Sequence, residues 1–160
     1  MKKSTGSNEL DLLLEVIDQA FDRHAWHGTN LRGSVRGLST ADASRRPGPG
    51  RHTIWEIMLH TAYWKYTVRR RLLGEKRGSF PIGGSNWFER PVRGADWKSE
   101  VALLDEVHAG MRKAIAGLDP ATLHRKAGTS KYTNAALIYG IASHDLYHAG
   151  QIQLVKRLIR

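Results

Sequence analysis

The stretch ASHDLYHAGQIQLVKRL, Ala142–Leu158, places two histidines four residues apart, at His144 and His148. On an α-helix that spacing is one turn plus about 40°, with a rise of roughly 6 Å. Both imidazoles therefore leave the same face and can converge on one metal ion. They fall on an apolar seam that runs Leu137, Ile141, His144, His148, Gln151/Ile152, Val155, Leu158. Burying imidazole nitrogens in a bundle core is costly unless something satisfies them. A metal ion does so, and so does buried water or a hydrogen-bond network; the spacing leaves these open.

A third histidine, His60, lies in the middle of another helical run, TIWEIMLHTAYWKYTVRRRLL, Thr53–Leu73. Three neutral imidazoles with no obvious fourth ligand form the pattern of an open metal site for Zn²⁺, Ni²⁺ or a related divalent ion. Such ligands leave the full 2+ charge on the ion, which can activate a water or stabilise a thiolate. The competing reading is a polar core of three hydrogen-bonded histidines.

Working outward, the chain of 160 residues fits one domain, 1–160. It has no cysteine, so disulfides and protein thiolate ligands are excluded and a transition metal must be held by N and O. The start, MKKSTGSNELDLLLEV, has no continuous apolar core of a signal peptide, and no run is long enough for a membrane span. A cytoplasmic location is the expectation. The net charge of +10 is spread over scattered clusters, Arg45–Arg46, Arg69–Arg71, Arg125–Lys126 and Lys156–Arg160. Two of these sit at helix C-termini, where cations complement the macrodipole. A solvated basic surface is preferred to a nucleic-acid interface, since there is no recognised binding module and the aromatics are mostly not interleaved with the basic clusters. P-loop, GxGxxG, GxSxG and HExxH motifs are absent.

Four long amphipathic segments predict an all-α four-helix bundle. The first is expected over Glu9–Val35, with the seam Leu10, Leu13, Ile17, Ala20/Phe21, His24, His27/Gly28, Leu31. A Pro/Gly-rich loop follows over Gly37–His52, with a short helical turn at Ser39–Ser44. Thr53 and Glu56 form a capping box for the second helix, which Gly74 stops. The third runs from Asp96 to Gly117 on the seam Val101, Leu104, His108, Met111, Ile115, Leu118. The fourth is capped by Thr133 or Asn134 and ends near Leu158. The connection Gly74–Ala95 is long, which predicts a crossover, helices two and three parallel, and an up-down-down-up bundle. Its flexible Gly83–Gly84 and bulky Phe80, Trp87 and Phe88 fit either a lid or an anchor.

Other side chains are candidates for chemistry. Glu56 lies one turn before His60 and is a candidate base, orienting group or oxygen ligand; the capping role is preferred. Tyr147 and Tyr63 are candidate donors, although packing is the commoner role for such tyrosines. Asp145 is rotated about 100° from His144 and should face a neighbouring element or solvent. For His24, His27 and His108 a satisfied core histidine is preferred to a ligand. His52 and His124 lie in loops and carry little information.

The segments AWHGTNLRGSVRGL, RPGPGRHTIWEIMLHTAYWK and SHDLYHAGQIQLVKRL together resemble the DinB-like (DinB/YfiT) superfamily over nearly the whole chain. The resemblance implies an up-down-down-up four-helix bundle, often a homodimer. It also implies a Zn or Ni site of three histidines, mapping onto His60, His144 and His148. Characterised members of the family include thiol-dependent S-transferases and a thiol-dependent isomerase. The expectation is thus a divalent-metal-dependent enzyme of thiol S-transferase or hydrolase type, acting on a small-molecule substrate with a low-molecular-weight thiol or water. The alternative is a catalytically silent metal-binding stress-response bundle. No determinant for a particular thiol is visible.

Overall fold

The computed structural model describes residues 5–160, with side chains from Asn8 onward. Met1–Ser4, which contribute to the reading of the N-terminus, lie outside the described residues. The elements are α1 (Thr5–Phe21), α2 (Leu31–Val35), α3 (Thr40–Ser44), α4 (Ile54–Leu73), α5 (Trp97–Ala116), a 3-10 turn at Pro120–Thr122, and α6 (Asn134–Leu158). Among the described residues no helix is long and apolar enough to cross a membrane.

Local chemistry sets most of these boundaries. Thr53 Oγ1 accepts from the Glu56 amide at 3.1 Å while the Thr53 amide donates to Glu56 Oε2 at 3.0 Å, so both arms of the α4 capping box are made. Gly74 ends α4 in the left-handed region at φ 68°, which a glycine adopts without a side-chain clash. Asp96 caps α5 and Thr133 caps α6 through their side-chain oxygens. Ser39 and Asp42 form a second capping box on α3.

The first expected helix is corrected. A single helix over Glu9–Val35 does not form; α1 ends at Phe21 and α2 restarts at Leu31. Gly28 takes φ 99° and Asn30 turns the chain, its amide donating to the Arg23 carbonyl at 2.8 Å and its oxygen accepting from Gly33. The short α2 then buries Leu31 and Val35 and packs on α6. His24 and His27 consequently lie in an exposed loop rather than on a buried seam.

The four long helices form the expected up-down-down-up bundle. Trp55 packs edge-on against Trp97 near the starts of α4 and α5, and further along Tyr66 and Arg69 share a cleft with Val107 and Gly110. These two helices are therefore parallel, joined by the long crossover. On α4 and α6 the pairs run oppositely, His60 with His148 at one end and Val68 with Leu137 towards the other. Asp18 of α1 holds Arg112 of α5 through two bonds of 2.6 and 2.8 Å, while Glu9 reaches His124 beyond the end of α5, so α1 runs antiparallel to α5.

Inside the bundle, Lys65 of α4 and Asp145 of α6 form an ion pair that solvent does not reach. Burial pushes the Lys65 pKa down and raises that of Asp145 to about 6, each opposed by the partner's charge. His108 lies nearby, buried and stacked on Phe21 with ring centroids 3.6 Å apart. Its pKa is lowered to about 2 by burial, then by Lys65 and Arg112.

Asp145→Ala leaves Lys65 enclosed without its partner and should cost about 3–5 kcal/mol in urea unfolding, whereas Lys65→Met with Asp145→Leu should recover most of that loss. Equal midpoints for Asp145→Ala and the native chain would remove this pair from the account of stability. His108 makes a separate prediction. Its folded pKa lies below the ordinary 6.5, so the unfolded chain binds a proton that the folded one does not. Its contribution is intact above pH 6.5 and lost as pH falls, by up to about 1.4 kcal/mol per unit. Urea titrations between pH 7 and pH 5 should show a slope smaller by about one proton in His108→Leu than in the native chain.

Candidate metal centre

His60 projects from the second turn of α4 towards the middle of α6, which carries His144 and His148 one turn apart. The three imidazoles meet edge to edge. His144 Nε2 is 3.1 Å from His60 Nε2 and 3.1 Å from His148 Nε2. The three donor nitrogens lie within 4.8 Å of one another. Four ligands at the 2.0–2.1 Å bonds of a tetrahedral zinc site are about 3.3 Å apart, close to the two 3.1 Å separations here. Among the described residues no other group of three or more His, Asp or Glu side chains converges in this way.

The outer nitrogens decide what the inner ones can do. His60 Nδ1 lies 2.9 Å from the Asn86 carbonyl oxygen, which only accepts, so this nitrogen carries the hydrogen. His148 Nδ1 donates likewise to Gln151 Oε1 at 2.8 Å. Both rings therefore turn bare Nε2 lone pairs inward. The His144 ring between them has at most one Nε2 hydrogen, which serves one lone pair well and not two. Its own Nδ1 is buried without a protein partner. A cation at the centre satisfies all three Nε2 atoms at once, which a network of neutral imidazoles does not.

Electrostatics agree with that reading. Burial lowers the His60 pKa to about 4 and that of His144 to about 3, with the neighbouring histidines adding to the effect. His148 is lowered as well, again mainly by burial. Each shift favours the neutral ring, whose lone pair is available without displacing a proton.

The Gly74–Ala95 connection supplies a cover. Trp87 stacks on His60 at 4.0 Å between centroids, and His52 stacks on Trp87 at 3.7 Å. Asn86, at φ 67°, orients His60 with its carbonyl and accepts from Trp64 Nε1 with its side chain at 2.9 Å. The loop is pinned to α4 by Phe80 and Phe88 packed on Tyr63, and by Gly78 and Ser79 amides donating to the Tyr66 hydroxyl. The aromatic residues thus anchor the crossover, and Trp87 in addition roofs the His60 ring.

The remaining candidates fall outside the cluster. Both Glu56 oxygens are engaged, by the Thr53 and Arg90 amides, Arg46 and His52. Burial pushes this carboxyl up, but the Arg46 bond and the other donors outweigh it and hold its pKa below the ordinary value. Tyr147 is 70 % exposed, its ring edge-on to His148 at 4.9 Å. Tyr63 spends its hydroxyl on Arg77 at 3.0 Å. Asp145 faces Lys65, and His124 bonds Glu9 at the surface. Sequence reasoning passed over Asn86, Trp64 and Lys65, and it credited His52 with little. Asn86 follows a Gly-Gly-Ser run, where a left-handed asparagine is unsurprising, but nothing local to it points at His60.

The DinB superfamily sequence profile matches residues 23–152, a span that contains all three histidines. The crystal structure of a conserved protein from Enterococcus faecalis is similar, with a TM-score of 0.61 and 17% sequence identity over 96% of this chain and 94% of that one. At that identity the likeness establishes the fold alone. No curated protein matches the chain.

Proposed function

Because the chain belongs to the DinB superfamily and carries three convergent imidazoles, we propose that it is a divalent-metal-dependent enzyme, with zinc or nickel held by His60, His144 and His148. The reaction class is a thiol S-transfer or a hydrolysis on a small molecule, with a low-molecular-weight thiol or water as nucleophile. The observation that carries this reading is the pair of inward lone pairs at His60 and His148, fixed by hydrogen bonds on the far side of each ring. When bound, the ion supplies Lewis acidity, bringing the pKa of a coordinated thiol or water towards neutrality.

The chain's own residues do the rest. The Asn86 carbonyl and the Gln151 carboxamide hold the two outer rings in the coordinating tautomer. Trp87 shields the His60 side from water, leaving approach to the centre from elsewhere. Glu56 secures the start of α4 and the Arg90 end of the crossover, which keeps His60 in place, so we assign it a positioning role. Tyr147, exposed with its ring edge-on to His148, is our remaining candidate for a donor at the centre.

Protein purified without metal and reconstituted with Zn²⁺ or Ni²⁺ should take up the ion, as read by elemental analysis. His144→Ala or His148→Ala should lose most of it, and the metal-dependent rise in melting temperature should vanish with it. Native protein that stays empty under these conditions would end the metal reading. Titrating small thiols into Co²⁺- or Ni²⁺-loaded protein should give a sulfur charge-transfer band; a spectrum indifferent to every thiol would favour water as nucleophile. Trp87→Ala should bind as much metal as the native chain but release it to a chelator several-fold faster.

A further inference from the structure

Next to the metal centre, α4 and α6 leave a groove of about 330 Å³. Its walls are Trp64 and Val68 from α4 and Leu137 and Ile141 from α6, and one end abuts the His144 ring. Its other end is Arg71 with Tyr132. From Trp64 to Arg71 is seven residues of helix, so the groove is about 10 Å long. No acidic side chain lines it.

Two features point to a ligand rather than to a simple surface crease. Arg71 is half-buried, and among the described residues its guanidinium has neither ion pair nor hydrogen bond, although Arg69 beside it is paired with Glu75. A half-buried, unpaired cation at the end of an apolar trough is complementary to an anion. The second feature is Gly140, in the interior of α6 and on the groove wall. Its backbone does not need glycine, since its φ is not positive and an added Cβ would meet nothing within 4 Å. A glycine there costs helix stability and leaves the groove wider than any other residue would.

We propose that this groove binds an amphipathic organic anion, its apolar body along Trp64, Val68, Leu137 and Ile141 and its carboxylate or similar group at Arg71. The opposite end of the ligand then lies against His144. That this ligand is the substrate rests on the proposed metal-dependent function; that it binds does not.

Calorimetry of full-length, metal-loaded protein with sodium octanoate, octan-1-ol and octylammonium chloride tests the groove. Octanoate should bind at least about tenfold more tightly than the alcohol, the step expected of one charge-assisted contact, and the ammonium ion should not bind. Arg71→Met should abolish that preference, and Gly140→Leu should weaken octanoate at least about tenfold by filling the trough. Both variants should keep native metal content, and neither should melt below the native chain, Gly140→Leu gaining the helix stability that glycine forgoes. Equal affinities for octanoate and octanol, or variants that bind octanoate like the native chain, would overturn the proposal. So would absent octanoate binding with a change of oligomeric state in Gly140→Leu, which would put a second copy in the groove. Octanoate should also shift the visible spectrum of the Co²⁺ form; binding without a shift would refute the ligand as substrate. Octanoate binding by a chain that takes up no metal would instead overturn the metal reading and leave the binding groove standing.

Discussion

Lys65 and Asp145 are the constraint on which the site depends. Both are shut away from solvent, so each charge must find the other or remain unpaired in an apolar interior. Apolar ridges on two helices tolerate sliding by a turn with modest loss, but a single buried ion pair does not. Lys65 is five residues beyond His60, and Asp145 directly follows His144. Fixing one pair therefore fixes how far along α6 the His60 ring arrives, and it arrives level with His144 and His148. The pair also accounts for the odd position of an aspartate between two seam histidines: its neighbours face the centre, and it faces α4.

A three-histidine metal site, which this cluster could form, makes two opposed demands. Imidazoles must be dry enough to stay neutral and close enough to share an ion, yet three neutral rings cannot satisfy one another. Burial meets the first demand, lowering His60 and His144 well below the ordinary histidine range. The second is met by assigning the outer nitrogens to fixed acceptors, Asn86 and Gln151, so that the unsatisfied capacity is concentrated at one point between the rings. A bundle with hydrogen-bonded core histidines would spread that capacity instead.

The crossover that makes α4 and α5 parallel is also what completes the site. Its aromatic segment packs on Tyr63, lays Trp87 across His60 and supplies the Asn86 carbonyl. Topology and site are thus coupled: a short hairpin between α4 and α5 would make them antiparallel and would carry neither residue. Glu56 ties the same loop to the N-terminus of α4 through the Arg90 amide, which is why a capping residue sits one turn from a candidate ligand without being one of the converging groups.

Periodicity, capping residues and the long Gly74–Ala95 run determined the four-helix bundle and its up-down-down-up course, because these are local signals that act within a few turns of chain. The i,i+4 pair at His144 and His148 was legible for the same reason. The break between Phe21 and Leu31 was not, since the apolar pattern of His24–Leu31 continues a helical period while Gly28 and Asn30 end it through backbone conformation. His60 was joined to the pair by the family resemblance and not by any spacing, and only the tertiary structure found Lys65 a partner in Asp145 and gave His52, Asn86 and Trp87 their places around the His60 ring. Each of those contacts joins residues whose distance in space is set by how helices and crossover pack, and no spacing along the chain encodes it.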